Sequence, residues 1–368
     1  MIILDGSSGE GGGALVRVAL ALSTITGQPF HVTNIRASRP QSGLKAQHLS
    51  AIHALKQISN AQTNDVQLGS TELLFTPGKI KSGRYEFDIG TAGSITLFLQ
   101  AIILPCLFAP SKITLTIKGG TSGKWQASVD YLQHLLLPQL QRFVEKINLK
   151  ILKRGYYPEG GGEIVLEISP KYHLKNYSTL SEFLTIISEK IPPIQLTNQG
   201  TLEQIRGIIN LSQELAEKKI AERIKSATES SLREYNVPLT LRMEYANSKS
   251  IGGELLLWAL FSNNRIIDEI NPILLAGDAL LEKNKSSEEV AKEAVTELKQ
   301  SIESKACVDP HLADQLIMFL GLLPGSEIKC AEITSHTTTN ISIVETFLPI
   351  KFEINGKNIK ATTNQKDL

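Results

Sequence analysis

The chain has 368 residues, enough for two or three compact units on the usual length scale. Its 42% hydrophobic and 20% charged content is that of an ordinary soluble protein, and a net charge of +1 excludes one that coats long tracts of nucleic acid. The charge is uneven, however. Between Gly11 and Asn64 there is no Asp or Glu against five basic residues, Arg17, Arg36, Arg39, Lys45 and Lys56, so a polyanion is expected to meet the N-terminal region.

The three cysteines, Cys106, Cys307 and Cys330, form no metal-ligand spacing and fit a reducing compartment. The N-terminus carries Asp5 and Glu10 and no basic leader, and the longest apolar run, 95–108, holds Gln100 and Pro105 and is too short to span a bilayer. A cytoplasmic protein with no membrane partner is expected.

In chain order, a strand over 2–4 precedes a Gly/Ser-rich segment, 5–13, and a helix over 14–25. A strand over 30–35, a loop over 36–43 and a helix over 44–58 follow, then strands over 66–75, broken at Gly69, and 85–89. The order then starts again with a helix over 94–108, a strand over 112–118, a helix over 129–144 and strands over 149–153 and 163–168. A third copy has a helix over 312–323, a strand over 327–334, a helix over 339–347 and a hairpin, 350–354 with 358–362, across Asn355-Gly356.

The recurrence predicts an α/β (α+β) fold of three repeated units, each of two helices on a four-stranded sheet. The interval 177–306 carries strands over 204–211, 238–244 and 254–261 and charged helices over 215–234 and 287–304, so it reads as a smaller inserted α/β domain. The larger domain is then 1–176 with 307–368. In each repeat the strand after the first helix ends in an unusual segment, 36–39, 119–124 and 335–336. Units packed around a common axis would bring those ends to one cleft, as strand ends do in α/β folds.

At the third of these ends stands His336. Thr337 to Asn340 supply capping chemistry, so a helix is expected to begin just past the imidazole, with free backbone N–H groups as a seat for phosphate. The run Gly9-Glu10-Gly11-Gly12-Gly13-Ala14 matches G-x-G-x-x-A before a helix. It reads as a dinucleotide fingerprint, as a flexible loop, or as a polyanion loop in which Glu10 holds a divalent metal and Arg17 faces the ligand. The segment 119–125 approaches a P-loop and fails it, one residue short and with Trp125 where a magnesium-binding hydroxyl belongs. Gln100 is a polar residue in an apolar helix, and Asp314-Gln315 opens the first helix of the third repeat, where an acid also suits the helix dipole.

The string Arg154-Gly155-Tyr156-Tyr157-Pro158-Glu159-Gly160-Gly161-Gly162 is more than a glycine-rich hairpin. Here the chain resembles the RNA 3′-terminal phosphate cyclases, whose signature is a basic residue, Gly, two residues, Pro, one residue and three glycines. The resemblance extends to LDGSSGEGGG at 4–13, IRASRPQSGLKAQHL at 35–49, GTAGSITLFLQ at 90–100, HLADQL at 311–316 and SHTTTNISIVETFLP at 335–349. It implies an enzyme that turns an RNA 3′-phosphate into a 2′,3′-cyclic phosphate with ATP as co-substrate. A histidine takes AMP covalently, passes it to the RNA 3′-phosphate, and the vicinal 2′-OH displaces it.

Carried over by motif, His336 is the nucleophile and Glu10 the metal-associated carboxylate for Mg or Mn. Gln100, His311, Leu312, Ala313, Asp314 and Gln315 form the nucleotide site, and Arg17, Arg36, Arg39 and Gln47 hold the RNA phosphates. The implied partner is RNA with a 3′-terminal phosphate, and a homodimer is one oligomeric state left open. His311 stands where bacterial relatives carry an aromatic, and residues 125–128 lack the family's usual prolines. The family also has a ribosome-biogenesis branch without the activity, so a non-catalytic RNA-processing factor stands beside the active cyclase, and an NADP-linked oxidoreductase remains from the glycine motif.

Overall fold

A computed structural model describes residues 1–363. The first unit runs β1 (Ile2–Asp5), α1 (Ala14–Thr26), β2 (Phe30–Thr33), α2 (Ala46–Ser59), β3 (Gln62–Thr63) and β4 (Leu73–Thr76). The second runs β5 (Gly83–Asp88), α3 (Ile95–Leu107), β6 (Ile113–Gly119), a helical segment containing α4 (Val129–Tyr131) and α5 (Leu137–Leu140), β7 (Val144–Lys153) and β8 (Gly162–Pro170). After α6 (Leu180–Lys190), β9 (Gln195–Leu196) opens the third unit. The chain then leaves it for β10 (Thr201–Ser212), α7 (Ile220–Leu232), β11 (Leu239–Ala246), β12 (Gly253–Ser262), β13 (Leu274–Leu280) and α8 (Ser287–Glu303). It returns with α9 (Pro310–Leu322), β14 (Glu327–Lys329), α10 (Ser335–Phe347), β15 (Ile350–Asn355) and β16 (Asn358–Thr363).

The sheets have the orders β1-β2-β4-β3, β5-β6-β8-β7 and β9-β14-β16-β15. In each, the first two strands are parallel and the rest antiparallel, so the three units share one topology. The helices close the arrangement into a ring. The first helix of each unit packs on the second helix of another: α3 on α2, α9 on the helical turn after α4, and α1 on α10. That is why α1 and α3 are apolar nearly all round, since each is covered on every side. Among the described residues no helix is long and apolar enough to cross a membrane.

Several expected boundaries move. The domain boundary at 177 cuts through the third unit, because β9 pairs in parallel with β14 through Gln195↔Glu327 and Leu196↔Ile328. A two-residue strand carries no periodicity to read, and the structure adds α6 and β13 to the elements expected from the sequence. The helix expected over 129–144 is broken. Pro138 has no N–H, the amide of Leu137 reaches back to the Leu132 carbonyl in a π turn over Leu132–Leu136, and β7 begins as early as Val144. The strand expected over 327–334 stops at Lys329, since Ala331 donates to the Val308 carbonyl outside the sheet. The strand expected over 66–75 shrinks to β4, with Gly69 in a left-handed turn. The insertion forms its own sheet, β11-β10-β12-β13, covered by α7 and α8. Its expected long helix over 215–234 is interrupted at Lys219, which takes a φ of 49°.

Candidate active site

His336 sits inside the first turn of α10, not before it. Thr334 is the N-cap, its hydroxyl accepting from Thr337 N (3.1 Å) while Thr337 Oγ1 accepts from Thr334 N (3.4 Å). The helix therefore starts ahead of the imidazole, a correction to the capping expected at 337–340. Asp314 on α9 accepts from the Thr334 hydroxyl (2.8 Å) and from the Thr337 hydroxyl, and Asn340 Nδ2 donates to its carbonyl (2.9 Å). Burial raises the Asp314 pKa against the lowering effect of those hydroxyls and of His336 and His311. The turn carrying His336 is thus clamped from α9, with the side chain 43% exposed.

His336 Nδ1 lies 3.6 Å from Glu10 Oε1, and the Glu10 side chain is only 4% exposed. The glycine-rich loop holds it there. Glu10 N donates to Thr339 Oγ1 (3.0 Å), Ala14 N approaches Glu10 Oε1 (3.4 Å), and Arg39 pairs with Oε2. A Cβ at Gly12 would overlap the Glu10 carboxylate, and one at Gly9, where φ is 63°, would overlap the Thr339 hydroxyl. The chain's own carboxylate therefore occupies the start of α1, where a dinucleotide pyrophosphate would rest. That geometry counts against the oxidoreductase reading.

Behind Glu10, the buried Arg17 donates from Nε to Gln100 Oε1 (2.6 Å), with its Nη1 3.3 Å from His48 Nε2. Burial lowers Arg17 to about 10, Glu10 opposes that shift and Arg36 adds to it. Arg36 adopts a φ of 59°, and its buried Nε has no partner among the described residues. Its pKa is lowered by burial and by Arg39. Arg39 thus pairs with the Glu10 carboxylate while Arg17 and Arg36 feel its charge without a salt bridge to it, an arrangement that favours an added anion. Gln47, in the first turn of α2, makes no side-chain hydrogen bond among the described residues.

The five residues from 311 to 315 do not act as one surface. Leu312 and Ala313 are fully buried, so their side chains belong to the core. Gln315 lines one cleft with Gln100, Thr96 and Phe319. His311 lies apart, edge-on to Tyr131 at 6.0 Å, with its ring nitrogen and the carboxylates of Asp278 and Glu297 all within 4.8 Å of one another. Partial desolvation opposes a charge on His311, but Asp309, Asp278 and Glu297 outweigh it and raise its pKa. Of the three strand ends expected to meet, those at Arg39 and His336 do so through Glu10. The third, 119–124, turns toward the insertion, where Lys124 pairs with Glu282 (2.8 Å).

A family model described as RNA 3′-terminal phosphate cyclase matches residues 8–354. The chain belongs to that family. A protein of Pyrococcus furiosus named RNA 3′-terminal phosphate cyclase is 40% identical over 356 residues, 97% of this chain and 96% of the relative. Proteins of the same name from Archaeoglobus fulgidus and Methanopyrus kandleri are 38% and 36% identical, covering 98% and 99% of this chain and 100% and 97% of themselves.

Within this cyclase-family frame, the signature at 154–162 is a joint. Arg154 forms a buried pair with Asp130 and bonds Glu244 of β11 through Nε (3.2 Å) and Nη2 (3.1 Å). Gly155 packs so closely on Gly162 that a Cβ would collide with its backbone. Sequence reasoning missed His48, whose pKa burial and then Arg17 push well down. Its only signal was its place beside Gln47 in an acid-free stretch. It also missed Asp278 and Glu297, which nothing local connects to His311.

Proposed function

We propose that this cyclase-family enzyme uses ATP to close an RNA 3′-phosphate into a 2′,3′-cyclic phosphodiester, with His336 as nucleophile. The observation that carries the reading is His336 beside Glu10, with Arg17, Arg36 and Arg39 gathered behind them. A hydrogen on Nδ1 directed at Glu10 leaves the Nε2 lone pair free, and such contacts tighten when substrate binds. Nε2 attacks the α-phosphorus, an N–P bond forms and pyrophosphate leaves. An oxygen of the RNA 3′-phosphate then attacks that phosphorus, breaks the N–P bond and carries AMP away as an anhydride. The 2′-OH attacks the 3′-phosphorus, AMP departs and the hydroxyl proton passes to water.

The guanidiniums hold phosphate oxygens with paired N–H donors. The first turn of α10 adds backbone N–H groups that have no intrahelical partner. Gln100 holds Arg17 in place, and Gln315 faces the same cleft. Glu10 offers a hard oxygen donor, which fits an Mg or Mn ion that takes most of its ligands from water and nucleotide phosphates. Bound there, such an ion would offset phosphate charge and ease loss of pyrophosphate.

The test is incubation with ATP labelled at the α-phosphate and Mg or Mn. Wild type is expected to take up an acid-labile, base-stable label that 3′-phosphorylated RNA discharges, and His336→Ala to take up none. A wild type that binds RNA and never labels would sink the mechanism in favour of a non-catalytic RNA-processing factor.

A further inference from the structure

Trp125 is 95% exposed and takes a φ of 62°, a backbone conformation that large side chains rarely adopt. Strain of this kind is retained where the surroundings impose it, often at binding sites. Tyr157 is 77% exposed and Ile251 63%, and all three line one groove of about 840 Å³ between the loop at 121–126, the turn at 156–158 and the edge of the insertion. Large apolar side chains concentrated in one open groove mark an interaction surface.

The rim of the groove carries a small excess of positive charge. Lys124 and Lys283 line it against the single acid Glu282, which pairs with Lys124, and the stem of Lys249 lies over Gly161 of the same hairpin as Tyr157. Lys283 and Lys249 make no ion pair among the described residues. Exposed aromatic faces beside ammonium groups match one ligand class, single-stranded nucleic acid, whose bases stack while its phosphates meet the charges.

A path of contacts along α3 links the groove to the arginine cluster. Ala92 lines it, and Thr96 Oγ1 in the first turn of α3 donates to the Ala127 carbonyl (2.7 Å). Gln100, four residues further and about 6 Å along the helix axis, holds Arg17. We infer that Trp125 and Tyr157 form a stacking platform for the single-stranded RNA upstream of the reacting end. The inference rests on the cyclase reading for the identity of that RNA, while its own test does not need the reaction.

The test uses the full chain and an RNA of about ten nucleotides ending in an unreactive 3′-hydroxyl, a length within the usual single-strand site size. The only other tryptophan, Trp258, is 6% exposed, so fluorescence quenching reports on Trp125. Quenching is expected in wild type and not in Trp125→Ala. Affinity should fall about tenfold in Trp125→Ala and in Tyr157→Ala and largely return in Trp125→Phe. With a 3′-phosphorylated RNA of the same length, KM should rise by about the same factor at unchanged kcat, and a nucleoside 3′-phosphate should show no change. Wild-type affinity in both alanine variants would overturn the platform, as would equal losses on the nucleoside 3′-phosphate. So would normal RNA binding with altered self-association, which would make the groove a contact between copies. Absence of cyclisation in a wild type that still quenches would count against the cyclase reading alone.

Discussion

Arg17 keeps its charge almost without water. Burial lowers its pKa to about 10, so it is charged at neutral pH in both folded and unfolded chains, but the folded state holds that charge less favourably. The proposed role of that charge is to receive an anion that arrives later. Pyrophosphate, which mimics two nucleotide phosphates, is expected to stabilise wild type by about 2.7 kcal/mol at a hundredfold excess over Kd, and so to raise its Tm. Arg17→Met should match or exceed wild type in Tm without ligand and lose that response. A ligand-free variant less stable than wild type would show that Arg17 is a structural group. His48 illustrates what one residue's sequence context omits. Burial and three nearby cations define it, and they come from Arg17 on α1, Arg36 in the loop after β2 and Lys45 at the start of its own helix.

The α10 helix shows the same dependence one level up. The pattern around Thr334 and Thr337 is a local capping box, yet its rigidity comes from Asp314 twenty residues earlier on α9. Asp314→Ala should cost about 1–3 kcal/mol, because two hydroxyls lose their acceptor. Under the proposed mechanism it should also slow adenylylation, since the turn bearing His336 loosens. Asp314→Asn keeps an acceptor and, with burial already opposing the charge, should stay near wild-type stability. Equal losses in the two variants, measured by denaturant titration and α-phosphate labelling, would mean that the negative charge itself matters. Helix and strand types in the three units were readable because long amphipathic or apolar runs carry their own period. The π turn at Leu132–Leu136 and the early end of β14 were not, since Pro138 and the neighbouring Val308 carbonyl impose them against that period.

At the scale of the molecule, two of the charged joints between the insertion and the repeats are Arg154 with Asp130 and Glu244, and His311 with Asp278 and Glu297. At the second, burial and then the charge on Asp278 hold Glu297 up to about 7. The folded state thus keeps a proton that the unfolded chain has already released. Stability from Glu297 is present at low pH and declines as pH rises from the ordinary carboxylate range to about 7. His311, also raised, contributes stability below its ordinary value that disappears as pH climbs through its folded value, so the two act in the same direction. Wild-type Tm is therefore expected to fall between about pH 5 and pH 8, and Glu297→Gln to flatten that fall. Parallel Tm–pH curves for the two proteins would rule out the joint as a titrating element.

The threefold repetition, the class of each long element and the family resemblance behind His336, Glu10 and the arginines were all present in the order of residues. Periodic burial and close glycine packing leave marks along the chain itself. The two-residue β9 that completes the third sheet, the closed ring of helices, the Asp314 clamp and the meeting of His311 with two acids of the insertion were decided by tertiary structure. Each depends on groups tens to hundreds of residues apart, and the free energy of such a contact exists only when the rest of the fold holds both partners in place.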